Sequence, residues 1–155
     1  MKKVNFLPLF ALMAAMILSA CSKKNDTTST PTKSNKELLL EKAWMVSTAT
    51  INPAYDFGNG KTTDFLSTWD ACDKDDLMTF HSNSTYTGDE GATKCDPGDS
   101  QTWTGAWTLS DDQKLLTIDG DASTINSISE TKMTLSNSQA YGGVNYTITF
   151  TYVKK

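Results

Sequence analysis

The chain has 155 residues, with 14 Lys and no Arg against 18 acidic residues, a formal net charge of −4. That length suits one domain, and six Phe, five Tyr and four Trp supply bulk for a core. The acidic balance excludes a nucleic-acid binder, which needs a basic face, and one His with no Arg removes most general-base and bidentate anion-clamp chemistry.

Lys2 and Lys3 open the chain, and an apolar stretch follows from Phe6 to Leu18. It is short of the roughly 20 residues that a permanent membrane helix needs. It ends in Leu18-Ser19-Ala20-Cys21, which resembles a bacterial lipobox. The resemblance implies that residues 1–20 are a removed signal peptide and that Cys21 becomes an acylated first residue. Two or three acyl chains on Cys21 would then hold the protein to a membrane with no transmembrane helix. An ordinary secretory signal with a coincidental Cys is the alternative. Ser22 stands where an Asp favours inner-membrane retention, which implies the outer membrane of a Gram-negative bacterium, on its periplasmic or cell-surface side. Residues 21–35 then read as a lipidated flexible tether, because SKKNDTTSTPTKSN has no apolar side chain but Pro31 to offset the entropy of ordering. From Lys36 onward there are nine Lys against 17 acids, a net −8.

Asn35 to Lys42 predicts a short helix capped by Asn35, with Leu38, Leu39 and Leu40 on its apolar side. After Ala43 the spacing changes to alternation, with Trp44, Val46, Thr48 and Thr50 sharing one strand face. Asn52 to Ala71 reads as one long connection. Strands follow at 77–81, 84–88, 102–109, 115–118, 123–129 and 133–136, separated by turns such as Ser82-Asn83 and Asp119-Gly120. The last strand is the clearest: Val144, Tyr146, Ile148, Phe150 and Tyr152 alternate with Asn145 and three Thr. Short linkers favour antiparallel neighbours, so the prediction for residues 36–155 is all-β. It is an eight-stranded antiparallel up-and-down barrel preceded by a short N-terminal helix. The alternation places Trp44, Phe80, Tyr86, Trp103, Trp107, Ile118, Met133, Leu135, Tyr146, Ile148, Phe150 and Tyr152 inside.

The helical lead-in, Trp44 at the first strand, Leu-Met-Thr-Phe at 77–80, Thr85-Tyr86-Thr87, Gly105-Ala106-Trp107-Thr108-Leu109 and Leu115-Leu116-Thr117-Ile118 resemble the lipocalin-like domain of small bacterial lipoproteins. True lipocalins carry Gly-x-Trp in the first strand, where this chain has Lys42-Ala43-Trp44. Their Trp is commonly covered by a basic residue near the last strand, a place that only Lys154 or Lys155 fills here. The resemblance implies a barrel whose open end takes a small hydrophobic ligand.

With Cys21 committed to lipid, Cys72 and Cys95 form an even pair in an oxidising compartment and predict a disulfide worth on the order of 3 kcal/mol. Metal ligation is the rival, though two Cys and one His do not make a zinc spacing. That disulfide would bring together Asp70, Asp73, Asp75 and Asp76 with Asp89, Glu90, Asp96 and Asp99. Such a cluster reads either as a solvated rim of turn-forming Asp or as a Ca²⁺ site; the rim is favoured because EF-hand spacing is absent. The candidate ligand contacts are Tyr55, Phe57, Phe65 and Trp69 from the long connection, and Tyr86, Trp103 and Tyr146 from the strands. The four rings of the connection serve either as a lid over the barrel mouth or as a plug, the latter preferred because exposed aromatic patches are uncommon. His81 beside its turn reads as turn-bonded. No nucleophile elbow, phosphate loop or metal-binding box is present, so no catalytic residue, cofactor or metal ligand is assigned and the chain reads as a non-enzyme. The rival function is a protein-interaction or surface accessory module with a filled barrel.

Overall fold

The computed structural model describes residues 32–155. Residues 1–20 and Cys21, with most of the expected tether, lie outside that range. Helix α1 (Asn35–Leu39) is shorter than expected and is capped by Ser34 rather than Asn35. Ser34 Oγ accepts from Glu37 N at 3.3 Å, and Glu37 Oε2 accepts from Ser34 N at 2.8 Å, a reciprocal capping box. The Asn35 amide instead donates to Gln113 O at 2.8 Å, which ties the helix to the barrel. The helix stops because Leu40 is extended and bridges to Phe80, after which Glu41 takes a positive φ.

Nine strands follow: β1 (Ala43–Asp56), β2 (Lys61–Asp64), β3 (Leu77–Phe80), β4 (Thr85–Asp89), β5 (Thr102–Leu109), β6 (Leu115–Ile118), β7 (Asp121–Ile128), β8 (Lys132–Tyr141) and β9 (Val144–Lys154). From β4 to β9 each pairs antiparallel with its predecessor, β3 pairs with β1, and β9 returns to β1. The result is a closed eight-stranded antiparallel barrel, with β2 as a ninth strand outside the closure. Closure removes the free edges that an open sheet of this length would expose.

The long connection is where the expectation fails. β1 continues to Asp56, and β2 folds back along the edge that β3, paired only with Ala43–Met45, leaves open. The turn between them is held by Asp56 Oδ1, which accepts from Gly58 N at 2.8 Å and Gly60 N at 3.1 Å. Both glycines have positive φ, so side chains there would strain the backbone. A 3₁₀ turn at Leu66–Thr68 and another at Cys72–Lys74 then lead into β3.

A second correction concerns which face of β1 points inward. Val46 pairs with Tyr152 and Thr48 with Thr151, so Ser47 is an inserted bulge residue, its hydroxyl donating to Thr151 O at 3.1 Å. The bulge reverses the alternation. Trp44 is buried before it and Ala49 and Ile51 after it, while Thr48 and Thr50, expected with Trp44, are exposed. A similar irregularity between Ile125 and Ser127 turns both Ile125 and Ile128 toward the core.

The core comprises Leu39, Trp44, Phe80, Tyr86, Trp107, Leu116, Ile125, Met133 and Leu135. Leu39, fully buried, closes the α1 end of the barrel. Its burial requires the helix, which is why strand alternation alone omits it. Trp107 is also tied to the β3–β4 corner, its indole N–H reaching Thr85 O at 2.9 Å and His81 O at 3.1 Å. The His81 ring, expected to bond its turn, instead meets Thr87 Oγ1 on β4 at 3.0 Å and Glu41 Oε2 at 3.3 Å. Of the other side chains expected inside, Trp103 is 38% exposed and Tyr146, Ile148 and Tyr152 are half-buried, because a cavity and a groove lie over them, while Phe150, also half-buried, packs under Phe65 and Trp69. Lys33, Ser34 and Asn35, counted with the tether from sequence, are engaged with the domain, Lys33 through an ion pair to Glu130 at 2.5 Å.

Candidate functional site

The barrel is filled at the α1 end, where β3 finishes at Phe80. At the other end, where β3 and β5 begin, a cavity of about 500 Å³ opens among Trp44, Val46, Leu77, Met78, Trp103 and Tyr152, with Thr68 and Trp69 from the β2–β3 connection. This volume lies within the usual range for small-molecule sites. Trp44 is fixed at its floor by an indole N–H that donates to Leu39 O at 3.0 Å. The basic group over that indole is the Lys42 ammonium, 6.0 Å from the ring centroid, not Lys154 or Lys155. Lys42 is neutralised by Glu130 at 2.6 Å, and the two lysines around Glu130 pull its carboxyl down to about 2.

Trp103 owes its position to Gly88. The two are directly paired across β4 and β5, and a Cβ on Gly88 would lie 2.0 Å from the indole ring. Tyr86 and Gly105, the neighbouring pair, repeat the arrangement in the opposite sense, with a Gly105 Cβ falling 2.3 Å from the Tyr86 ring. Sequence carries the signal as Tyr86-Thr87-Gly88 against Trp103-Thr104-Gly105: each ring covers the opposite glycine. Trp69 is braced from behind by Phe150 (6.1 Å) and Phe65 (6.1 Å), and Phe65 is held by its backbone N–H on Ala49 O at 2.9 Å.

The remaining wall is acidic: Asp70, Asp73 and Asp76 line it. The expected disulfide is present between Cys72 and Cys95 and joins this turn to the loop after β4. It brings the two acidic runs together, and the carboxylates of Asp75, Asp89, Glu90 and Asp96 accept hydrogen bonds from that loop. Asp75 Oδ2 accepts from Ala92 N and Thr93 N at 2.8 and 2.9 Å, Asp89 Oδ1 from Gly91 N at 2.9 Å, and Asp96 Oδ1 from Gly98 N at 2.8 Å. Those residues play the turn-forming part. Asp76 differs in lining the cavity itself; its Oδ1, like Asp75 Oδ1, is buried without a hydrogen-bond partner. Burial, followed by the charges of Glu90, Asp73, Asp75 and Asp89, pushes its carboxyl up to about 6. Asp73 Oδ1 lies 3.3 Å from Cys95 Sγ, a contact rather than a hydrogen bond because a disulfide sulfur has no proton. Among the described residues the grouping with metal-ligand proximity is Cys72, Asp73 and Cys95, and both of its sulfurs are taken by the disulfide.

Of the side chains nominated from sequence, Trp69 and Trp103 line the cavity. Tyr55, Phe57, Phe65 and Tyr146 line a separate groove of about 230 Å³ on the part of β1, β8 and β9 that extends past the barrel. There Tyr55 meets Phe57, Tyr146 and Tyr141 edge-on at 4.7, 5.3 and 5.9 Å. So the rings of the connection divide: Trp69 packs inward on Phe150, Tyr55 and Phe57 belong to the open groove, and Phe65 packs on Phe150 while also facing that groove. Tyr86 lines neither; it is buried, and its phenol donates to Asp119 Oδ2 at 2.5 Å. Burial and that bond raise the Tyr86 phenol, and the bond holds the Asp119 carboxyl down. Cys21 lies outside the described residues. Sequence reasoning assigned Trp44 and Tyr152 to the core and Asp76 to a solvated rim; their convergence follows from β1 lying between β3 and β9, which no local pattern encodes.

A family model described as a lipocalin-like domain matches residues 40–135. No curated protein sequence matches the chain. Among solved structures, a complex of bovine odorant binding protein with a selenium-containing odorant aligns with a TM-score of 0.41 and 17% identity, over 80% of this chain and 74% of that chain. The family match spans more than half of the chain, from the end of α1 to the middle of β8, and the chain belongs to the lipocalin-like domain family.

Proposed function

We propose that this protein is a non-enzymatic binding protein whose barrel holds a small, largely apolar ligand in the cavity between Trp44, Trp69, Trp103 and Tyr152. The observation that carries this reading is the cavity itself, a space of about 500 Å³ walled by three indoles, a phenol and Met78 at one end of an otherwise filled barrel. Burial pushes the Tyr152 phenol up to about 12, so it meets a ligand as a neutral ring. The test is titration with a neutral apolar fluorophore such as N-phenyl-1-naphthylamine, read by quenching of the cavity tryptophans. Saturable 1:1 binding that Val46→Trp abolishes by filling the space is the expected result. Absence of saturable binding refutes the reading.

The proposal extends to location. Cys21 is the acylated first residue of the mature chain, anchored in the outer membrane, and what supports this is the Leu18-Ser19-Ala20-Cys21 run after an apolar stretch. Palmitate labelling in a Gram-negative host, with loss of label in Cys21→Ser and recovery of label in the outer-membrane fraction, tests it. A protein-interaction role is favoured by a different observation, the aromatic groove around Tyr55 with Tyr141 67% exposed at its rim. Replacing Tyr141 with Ser would weaken a partner's grip and leave fluorophore binding in the cavity intact.

A further inference from the structure

The cavity is not uniformly apolar, and its asymmetry specifies a ligand class. One side consists of the π faces and edges of Trp44, Trp69, Trp103 and Tyr152; the other presents the carboxylates of Asp73 and Asp76. No Lys or His is among its lining residues. Lys42 covers Trp44 and is already paired with Glu130. Asp89 is bonded by the loop backbone and Asp75 is bonded through Oδ2, but Asp75 Oδ1 and Asp76 Oδ1 are both shielded from water without a partner, and of these two residues Asp76 is the one that lines the cavity. A buried carboxylate oxygen with no partner is costly, and the cost is recovered when a donor arrives.

Resting on the reading that this cavity is the ligand site, we propose that it selects an amphipathic organic cation, with an alkyl or aryl body among the indoles and an ammonium head against Asp73 and Asp76. Each part has its physical counterpart. Indole and phenol rings attract ammonium groups as well as apolar carbon, and a carboxylate withheld from water forms a stronger charge-assisted bond than an exposed one. Burial is the main cause of the raised proton affinity of Asp76, and the charges of Glu90, Asp73, Asp75 and Asp89 that add to it also attract any other monovalent cation able to reach the site. An anionic amphiphile such as a fatty acid carboxylate would meet like charge at the wall and is rejected.

Three probes with one body and different heads test this on the full chain at pH 7.5: octylammonium, 1-octanol and octanoate, followed by calorimetry and tryptophan quenching. The ammonium should bind about tenfold or more tighter than the alcohol, and octanoate should bind weakest. Asp76→Asn should weaken ammonium binding about fivefold and narrow its lead over the alcohol. Asp121→Asn, which removes the same charge from an exposed position on β7, should not. Equal affinities for ammonium and alcohol would overturn the cation inference and leave the apolar cavity standing. Failure of all three to bind would overturn both. Displacement of the ammonium by sub-millimolar Ca²⁺ would assign the carboxylates to a metal and overturn the inference.

Discussion

Replacing Asp76 with Asn should make the unliganded protein more stable, even though it damages the proposed site. The carboxyl titrates at about 6 in the folded chain against a usual 3.8, because burial and four neighbouring acids disfavour its charged form. Each unit of such a shift corresponds to about 1.4 kcal/mol, so the full shift sets a ceiling of about 3 kcal/mol. Partial exposure of the side chain and screening by solvent bring the expectation to about 1–2 kcal/mol. A raised carboxyl works against stability at high pH. Below about pH 4 both folded and unfolded chains hold the proton and the residue contributes nothing. Between about 4 and 6 the folded chain binds a proton that the unfolded chain has released, so stability falls as pH rises. Above 6 the full penalty is present. Asn, which never ionises, should therefore stabilise the protein at pH 8 and lose most of that advantage by pH 4.5. Urea unfolding of both forms at pH 4.5, 6 and 8, with the disulfide intact, measures the difference. A gap that is absent at pH 8, or that does not shrink toward pH 4.5, refutes the argument that Asp76 is an unpaired acid among acids.

Leu39→Ala should cost about 2–5 kcal/mol in the same assay, since it empties a fully buried position at the closed end of the barrel; a loss below about 1 kcal/mol would show that α1 is not part of the core. Gly88→Ala should drive the Trp103 indole from its seat and cost about 1–3 kcal/mol, with a change in tryptophan emission. An unchanged spectrum would contradict the ring-over-glycine packing. Thiol titration of the unfolded, unreduced protein should find neither Cys72 nor Cys95 free, and reduction should lower stability by on the order of 3 kcal/mol.

Much of the barrel is legible in the chain because its signals are local. The alternation from Val144 to Tyr152, the Ser82-Asn83 and Asp119-Gly120 turns, and the short spacings from β3 onward lead directly to antiparallel neighbours. The pairing of Cys72 with Cys95 is similarly readable, from parity and compartment. The errors share a cause. Ser47 looks like any strand residue, and its role as a bulge depends on Tyr152 and Thr151 more than a hundred positions later. β2 has only four residues, Lys61-Thr62-Thr63-Asp64, with no apolar alternation, so nothing distinguishes it from loop until β1 offers an edge.

Residue order alone determined most of the barrel strands, the acidic character of the folded part and the reactive partners for a disulfide, because period-two alternation, net charge and cysteine count are properties of the chain itself. Only the tertiary structure decided which face of β1 is inside, that β1 and β9 close the barrel, and that Asp76 comes to lie beside three indoles. Those outcomes depend on hydrogen-bond register between segments far apart in sequence, where one inserted residue exchanges core for surface.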